Sequence, residues 1–105
     1  MSNTWKATER AIARHLGGVR TSHRNLGTGD ADVVVGAFTV EVKHRKSLPM
    51  WLKEGVAQAR RYARDDQLPL LVLHQAGQRH DNDLVVLRLL DFREWFGEVK
   101  EVPRE

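Results

Sequence analysis

The sequence predicts an α/β fold with the element order α-β-β-β-α-β-β-α, and three observations carry that prediction. In residues 31–44 an apolar run, Val33 to Val35, meets an alternating one, Phe38 to Lys43, across Gly36-Ala37, the pattern of a tight β-hairpin. Amphipathic stretches with helix-ending signals flank it, at 4–16 and from Ser47 to about Arg64. Further on, 68–74 and 83–89 are apolar runs of strand length separated by a polar loop.

The first helix spans 4–16, capped by Asn3 or Thr4 and stopped by Gly17-Gly18. Its apolar stripe runs Trp5, Ile12, Leu16, and the stripe's remaining position is Glu9. A carboxylate on a buried face is expensive unless it is paired, so Glu9 is either a ligand-binding group or the partner of a nearby Arg. Val19 to His23 forms a short strand, followed by the polar segment 24–29. In the hairpin, a two-residue turn at Gly36-Ala37 suits type II′, which wants Gly first. Ser47 is the expected N-cap of the second helix, with Pro49 in its first turn, where a missing N–H does no harm. Two stripes of that helix, Trp51-Gly55-Gln58-Tyr62 and Leu52-Val56-Ala59-Ala63, make a broad face to lie on a sheet. The run 68–74 is apolar past Pro69, as a central strand would be. Residues 75–82 form a loop, and Asp91 to Glu94 resembles a capping box opening a short helix that ends at Gly97.

The chain has 105 residues, the size of one domain spanning 1–105, with 98–105 expected to fray. It contains no run of about 18 apolar residues and no apolar signal-peptide core near Met1. The absence of cysteine rules out disulfides, thiolate metal sites and cysteine nucleophiles, and fits a cytoplasmic protein. The net charge of +3 is divided unevenly. Residues 1–64 hold 12 Lys/Arg against 5 Asp/Glu, whereas 65–105 hold 5 against 9. A basic part with isolated acids suits a polyanion gathered around a cation.

The hairpin supplies the chemistry. Its turn pairs Val35 with Phe38, Val33 with Val40, and Asp32 with Glu41. One face is then apolar (Val33, Val35, Phe38, Val40, Val42), and the other carries Asp32, Glu41 and Lys43. Opposed residues hold their Cβ atoms about 4.5–5.5 Å apart, where like charges repel. Two carboxylates placed so, with an ammonium beside them, suit a divalent cation better than they suit a sheet. Mg²⁺ takes one or two carboxylates with water and phosphate oxygens, so Asp32, Glu41, Lys43 and Glu9 supply the parts of a metal-dependent phosphodiesterase. Gln58 is expected inward, able to position water or Lys43.

These residues and their order resemble the PD-(D/E)XK nuclease superfamily, with its restriction-endonuclease-like αβββαβ core and mixed central sheet flanked by helices. Within it the chain is similar to the small archaeal-type and phage Holliday junction resolvases. Glu9 matches their helix-1 Glu, and Leu26-Gly-Thr-Gly-Asp-Ala-Asp32 their Gly-rich loop and Asp. Glu41-Val-Lys43 matches E-V-K, and Gln58 the Gln of the next helix. The segment Glu41 to Pro49 and Leu-Val-Leu-His74 resemble the phage branch. The likeness covers residues 5 to about 96. Ala31 stands where the family usually has Pro, and Thr28-Gly29 where archaeal members have Ser-Gly.

The resemblance implies a homodimeric, Mg²⁺-dependent endonuclease, with Mn²⁺ a substitute, in a bacterial, archaeal or phage-infected cell. It implies catalytic Glu9, Asp32, Glu41, Lys43 and Gln58, and metal ligation by Glu9, Asp32, Glu41 and the Val42 carbonyl. So short a chain has no room for a sequence-reading module, so DNA recognition rests on phosphate contacts and shape. Candidate contacts are Arg20, Arg24, Thr28, His44, Arg45, Lys46, Arg60, Arg61 and Arg64. The expected function is resolution of four-way junctions. The alternatives are a nuclease of the same superfamily acting on flaps, forks or ends, and a non-catalytic DNA-binding module.

The five histidines have no H-x₃-H or HNH-like spacing, which argues against zinc, and His80-Asp-Asn-Asp83 is a polar turn in preference to the cation site its side chains would allow. Trp51 and Trp95 are expected in the core or a dimer surface, and Tyr62 in the core.

Overall fold

A computed structural model describes residues 4–20 and 32–97. The structure is mixed α/β, with three helices and two small antiparallel sheets among the described residues. Among the described residues no helix is long and apolar enough to cross a membrane. The chain forms two compact units, divided at Lys46/Ser47, with Phe96 and Gly97 grouped with the first. Asn3, residues 21–31 (with Arg24, Thr28 and Ala31) and the tail 98–105 lie outside the described residues.

The first unit is built on helix α1 (Thr4–Leu16) and strands β1 (Val19–Arg20), β2 (Val33–Val35) and β3 (Phe38–Val40). Two backbone bonds close the end of α1, Gly18 N–H to the Ala13 carbonyl at 2.8 Å and Gly17 N–H to the Arg14 carbonyl at 3.2 Å. With Gly17 at φ 74°, this is a Schellman stop. Gly18 is required for a second reason. A Cβ there would sit 2.6 Å from the Val34 carbonyl oxygen, so only glycine lets the chain leave the helix this close to β2. The buried stripe of α1 is Glu9, Ala13 and Leu16, rotated from the expected one, and Trp5 is half exposed.

The three strands form an antiparallel sheet in the order β1-β2-β3. The β2–β3 register is Val33↔Val40, Val34↔Thr39 and Val35↔Phe38, as the turn predicts. Gly36 has φ 52° and Ala37 is not in the positive-φ region, the signs of a type II′ turn. Val33, fully buried, and Val35 face the core with α1, while Val34 faces outward. The ladder is shorter than 31–44: Asp32 and residues 41–45 lie just outside it, at its open end.

The second unit holds helix α2 (Met50–Tyr62), strands β4 (Leu71–Leu73) and β5 (Leu84–Val86), a 3₁₀ turn (His80–Asn82) and helix α3 (Leu89–Phe96) up to Trp95. Pro49, not Ser47, occupies the N-cap of α2, at φ −56° and ψ 140°. Its carbonyl accepts from the amides of Leu52 and Lys53 at 3.1 and 3.2 Å, so the locked ring starts the helix without a side-chain cap. Of the two predicted stripes, Leu52, Val56, Ala59 and Ala63 are half buried together with Gly55, which lies against Leu71. Trp51, Gln58 and Tyr62 are exposed, so the helix uses a narrower face than expected.

Strands β4 and β5 pair antiparallel, with Leu71↔Val86 and Leu73↔Leu84, as a two-stranded sheet. The central position expected of 68–74 is therefore not seen: Leu70 and Val72 are exposed. An unbroken apolar run allows two covered faces, but pairing decides whether a strand has two neighbours. Helix α3 begins at Leu89, two residues before the expected cap. Asp91 then sits inside the first turn and accepts from Arg88 Nε and Nη2 at 3.1 and 3.2 Å, so it caps nothing. Trp95 is half exposed.

Candidate metal and phosphodiester site

The open end of the hairpin and the inner face of α1 enclose an open hollow of about 420 Å³ in the first unit. Glu9, Asp32, Glu41, Val42, Lys43 and His44 line it with Trp5 and Arg45. Four of the five residues predicted to be catalytic thus meet at one place. Gln58, the fifth, belongs to the second unit and is exposed.

Each carboxylate is held differently. Glu9 is 4% exposed and Asp32 is 6% exposed, an environment that demands partners for both. Glu9 Oε1 accepts from Arg20 Nε at 2.7 Å, so the Arg pairing left open by the sequence is formed. The Arg20 guanidinium also lies over the Trp5 ring at 5.9 Å, and only a fifth of its side chain is exposed. Asp32 Oδ2 accepts from the Val42 backbone N–H at 2.7 Å. The carboxylate thereby does the work of the carbonyl that a longer ladder would supply, and fixes the E-V-K segment to β2. Glu41 is exposed, with Lys43 Nζ 3.1 Å from its Oε2.

These groups share a hollow but are not drawn into a tight set. Among the described residues, the group of three His, Asp or Glu side chains close enough for one ion lies in the second unit. Mg²⁺ needs only one or two carboxylates, so the donors Asp32, Glu41 and the Val42 carbonyl, all hard oxygens, suit it without Glu9.

Thr8 was not anticipated. Its hydroxyl lies 2.7 Å from His44 Nδ1 and fixes that ring at the rim of the hollow. Its only sequence signal is its position, one residue before Glu9. Arg45 is exposed and donates from Nη1 to the His44 carbonyl at 3.0 Å, and Lys46 is exposed. Arg60, Arg61 and Arg64 project from the C-terminal end of α2 or just beyond it in the second unit. Arg60 lies 3.9 Å from Asp91 and Arg64 lies 3.4 Å from Asp66. Asp91 is held below its usual range, chiefly by the Arg88 hydrogen bonds, against an opposing push from burial.

The chain matches no family model, and neither a curated protein nor a solved structure was found to be similar to it.

Proposed function

We propose that the protein is a metal-dependent, structure-selective DNA endonuclease on a restriction-endonuclease-like core, acting as a homodimer on four-way junctions. The observation that carries this reading is the meeting of Asp32, Glu41 and Lys43 with Glu9 around one open hollow. Asp32, Glu41 and the Val42 carbonyl would hold Mg²⁺, or Mn²⁺ in its place. Such an ion neutralises phosphate charge and acidifies a bound water. Asp32 also locks the Val42 amide, which sets the direction of the Glu41 and Lys43 side chains. Lys43 supplies a fixed positive charge to stabilise the oxyanion that develops at the phosphate. Glu9, neutralised by Arg20, adds carboxylate oxygen to the wall of the hollow. His44, Arg45 and Lys46 follow directly on the motif and offer exposed phosphate contacts at its rim.

The test is cleavage of a labelled four-way junction beside linear duplex, flap and single-strand controls, in Mg²⁺ and then in EDTA. Paired, Mg²⁺-dependent cuts on the junction alone are expected. Cuts on flaps or ends instead move the substrate but keep the site. Tight binding without any cleavage reduces the protein to a DNA-binding module.

A further inference from the structure

We infer that the second unit carries a transition-metal site, built from His74, His80 and Asp83 and selective for a borderline ion such as Zn²⁺. It is separate from the hollow of the first unit and does not depend on the nuclease reading. One ligand atom from each of the three side chains lies within 4.8 Å of the other two. His74 Nδ1 is 2.6 Å from Asp83 Oδ1, and His80 Nδ1 is 3.1 Å from Asp83 Oδ2. The two imidazoles stack, with centroids 4.4 Å apart and planes at 29°. Both rings therefore turn the same nitrogen toward one carboxylate.

The backbone enforces this. His74 directly follows β4 and Asp83 directly precedes β5, so extending the Leu73↔Leu84 pair sets the two side by side. The Asp83 N–H donates to the His80 carbonyl at 3.0 Å, closing the 3₁₀ turn that brings the second ring back. Asp83 is the least exposed of the three, its side chain 15% exposed.

Two imidazoles and a carboxylate are a borderline N₂O donor set, which suits Zn²⁺ and its neighbours better than Mg²⁺. Zn–N and Zn–O bonds of about 2.0–2.2 Å place tetrahedral ligand atoms about 3.3 Å apart, a value inside the 4.8 Å within which the three ligand atoms lie. Three protein ligands leave a fourth position. An adjoining hollow of about 300 Å³, lined in part by Gln75, Gln78 and Asn82, has room and polar groups for water there. Asp83 as a carboxylate only accepts, so without metal each ring presents N–H at Nδ1. Metal binding moves both protons to Nε2. Because a two-stranded sheet is marginal alone, an ion at its end would clip the 75–82 loop to β4 and β5.

The experiment titrates the full chain, stripped with EDTA and exchanged into clean buffer, with Zn²⁺ alone. Calorimetry reports stoichiometry, and ¹⁵N spectra of the histidine rings report tautomers. One equivalent is expected, with the Nδ1 signals of His74 and His80 moving together and excess Mg²⁺ failing to displace the ion. His80 is four-fifths exposed, so His80→Gln should fold and weaken Zn²⁺ binding on the order of 100-fold. Asp83→Asn should weaken it too. Unmoved His74 and His80 signals at one equivalent, or wild-type affinity in His80→Gln, overturn the site.

Discussion

At the scale of single residues, Asp32 does two things that can be measured apart. Its carboxylate accepts from the Val42 amide, and the proposed chemistry also needs its negative charge. Asp32→Asn can keep the acceptor, whereas Asp32→Ala leaves a half-buried amide without this partner. The Ala variant is expected to lose about 1–3 kcal/mol in chemical denaturation relative to Asn. Equal stabilities would remove the hydrogen bond from the account. Asp32→Asn, Glu41→Gln and Lys43→Ala should each lower junction cleavage at least about 100-fold while gel-shift affinity stays near wild type. A variant that cuts at full speed releases its residue from the site. For Glu9, by contrast, the sequence leaves a choice. A carboxylate on an apolar stripe has to be paired or to bind something, and Arg20, eleven residues on, is visible as its partner only once β1 lies along α1.

At the scale of elements, glycines and prolines set the boundaries. Gly18→Ala would drive a methyl into the Val34 carbonyl and the Val35 side chain, and backbone cannot move away cheaply. The variant should lose about 1–3 kcal/mol, read from the shift of its denaturation midpoint. A midpoint like wild type would mean that the α1–β1 corner is looser than described. At α3, the Arg88 bonds lower the folded-state pKa of Asp91 below its unfolded value. The stability this contributes is present above the ordinary Asp value of about 3.9 and is lost as pH falls through the lowered one. Wild type should therefore melt above Asp91→Asn at neutral pH, and the gap should close below about pH 4. A gap that persists in acid would deny the pair its charge. The hairpin was the most legible element, because a φ requirement at Gly36 and a two-residue period together leave one register. The starts of α2 and α3 were less so. Ser47 and Asp91 are both good caps, but Pro49 holds the cap of α2 and Arg88 engages Asp91 inside the first turn of α3.

At the scale of the whole molecule, charge is the property that bears on function. With 12 Lys/Arg against 5 Asp/Glu in residues 1–64, binding to DNA should release counterions. Junction affinity is expected to fall steeply and log-linearly between low and physiological salt. Salt-insensitive binding would remove the basic segment as the DNA surface. By itself the sequence determined the order of the elements, the II′ turn and the three-pair register of β2 and β3, whereas the expected Asp32–Glu41 pair falls outside the ladder and the two residues share only the wall of one hollow. The order, the turn and the register follow from backbone restrictions and side-chain periods acting over a few residues. Only the tertiary structure decided that Arg20 neutralises Glu9, that Gln58 and Tyr62 face outward, and that β4 pairs with β5. It alone brought His74 beside His80 and Asp83, whose spacing in sequence matches no metal motif. The physical reason is the same in each case: these contacts depend on which strand lies against which, and long-range pairing leaves no local period to read.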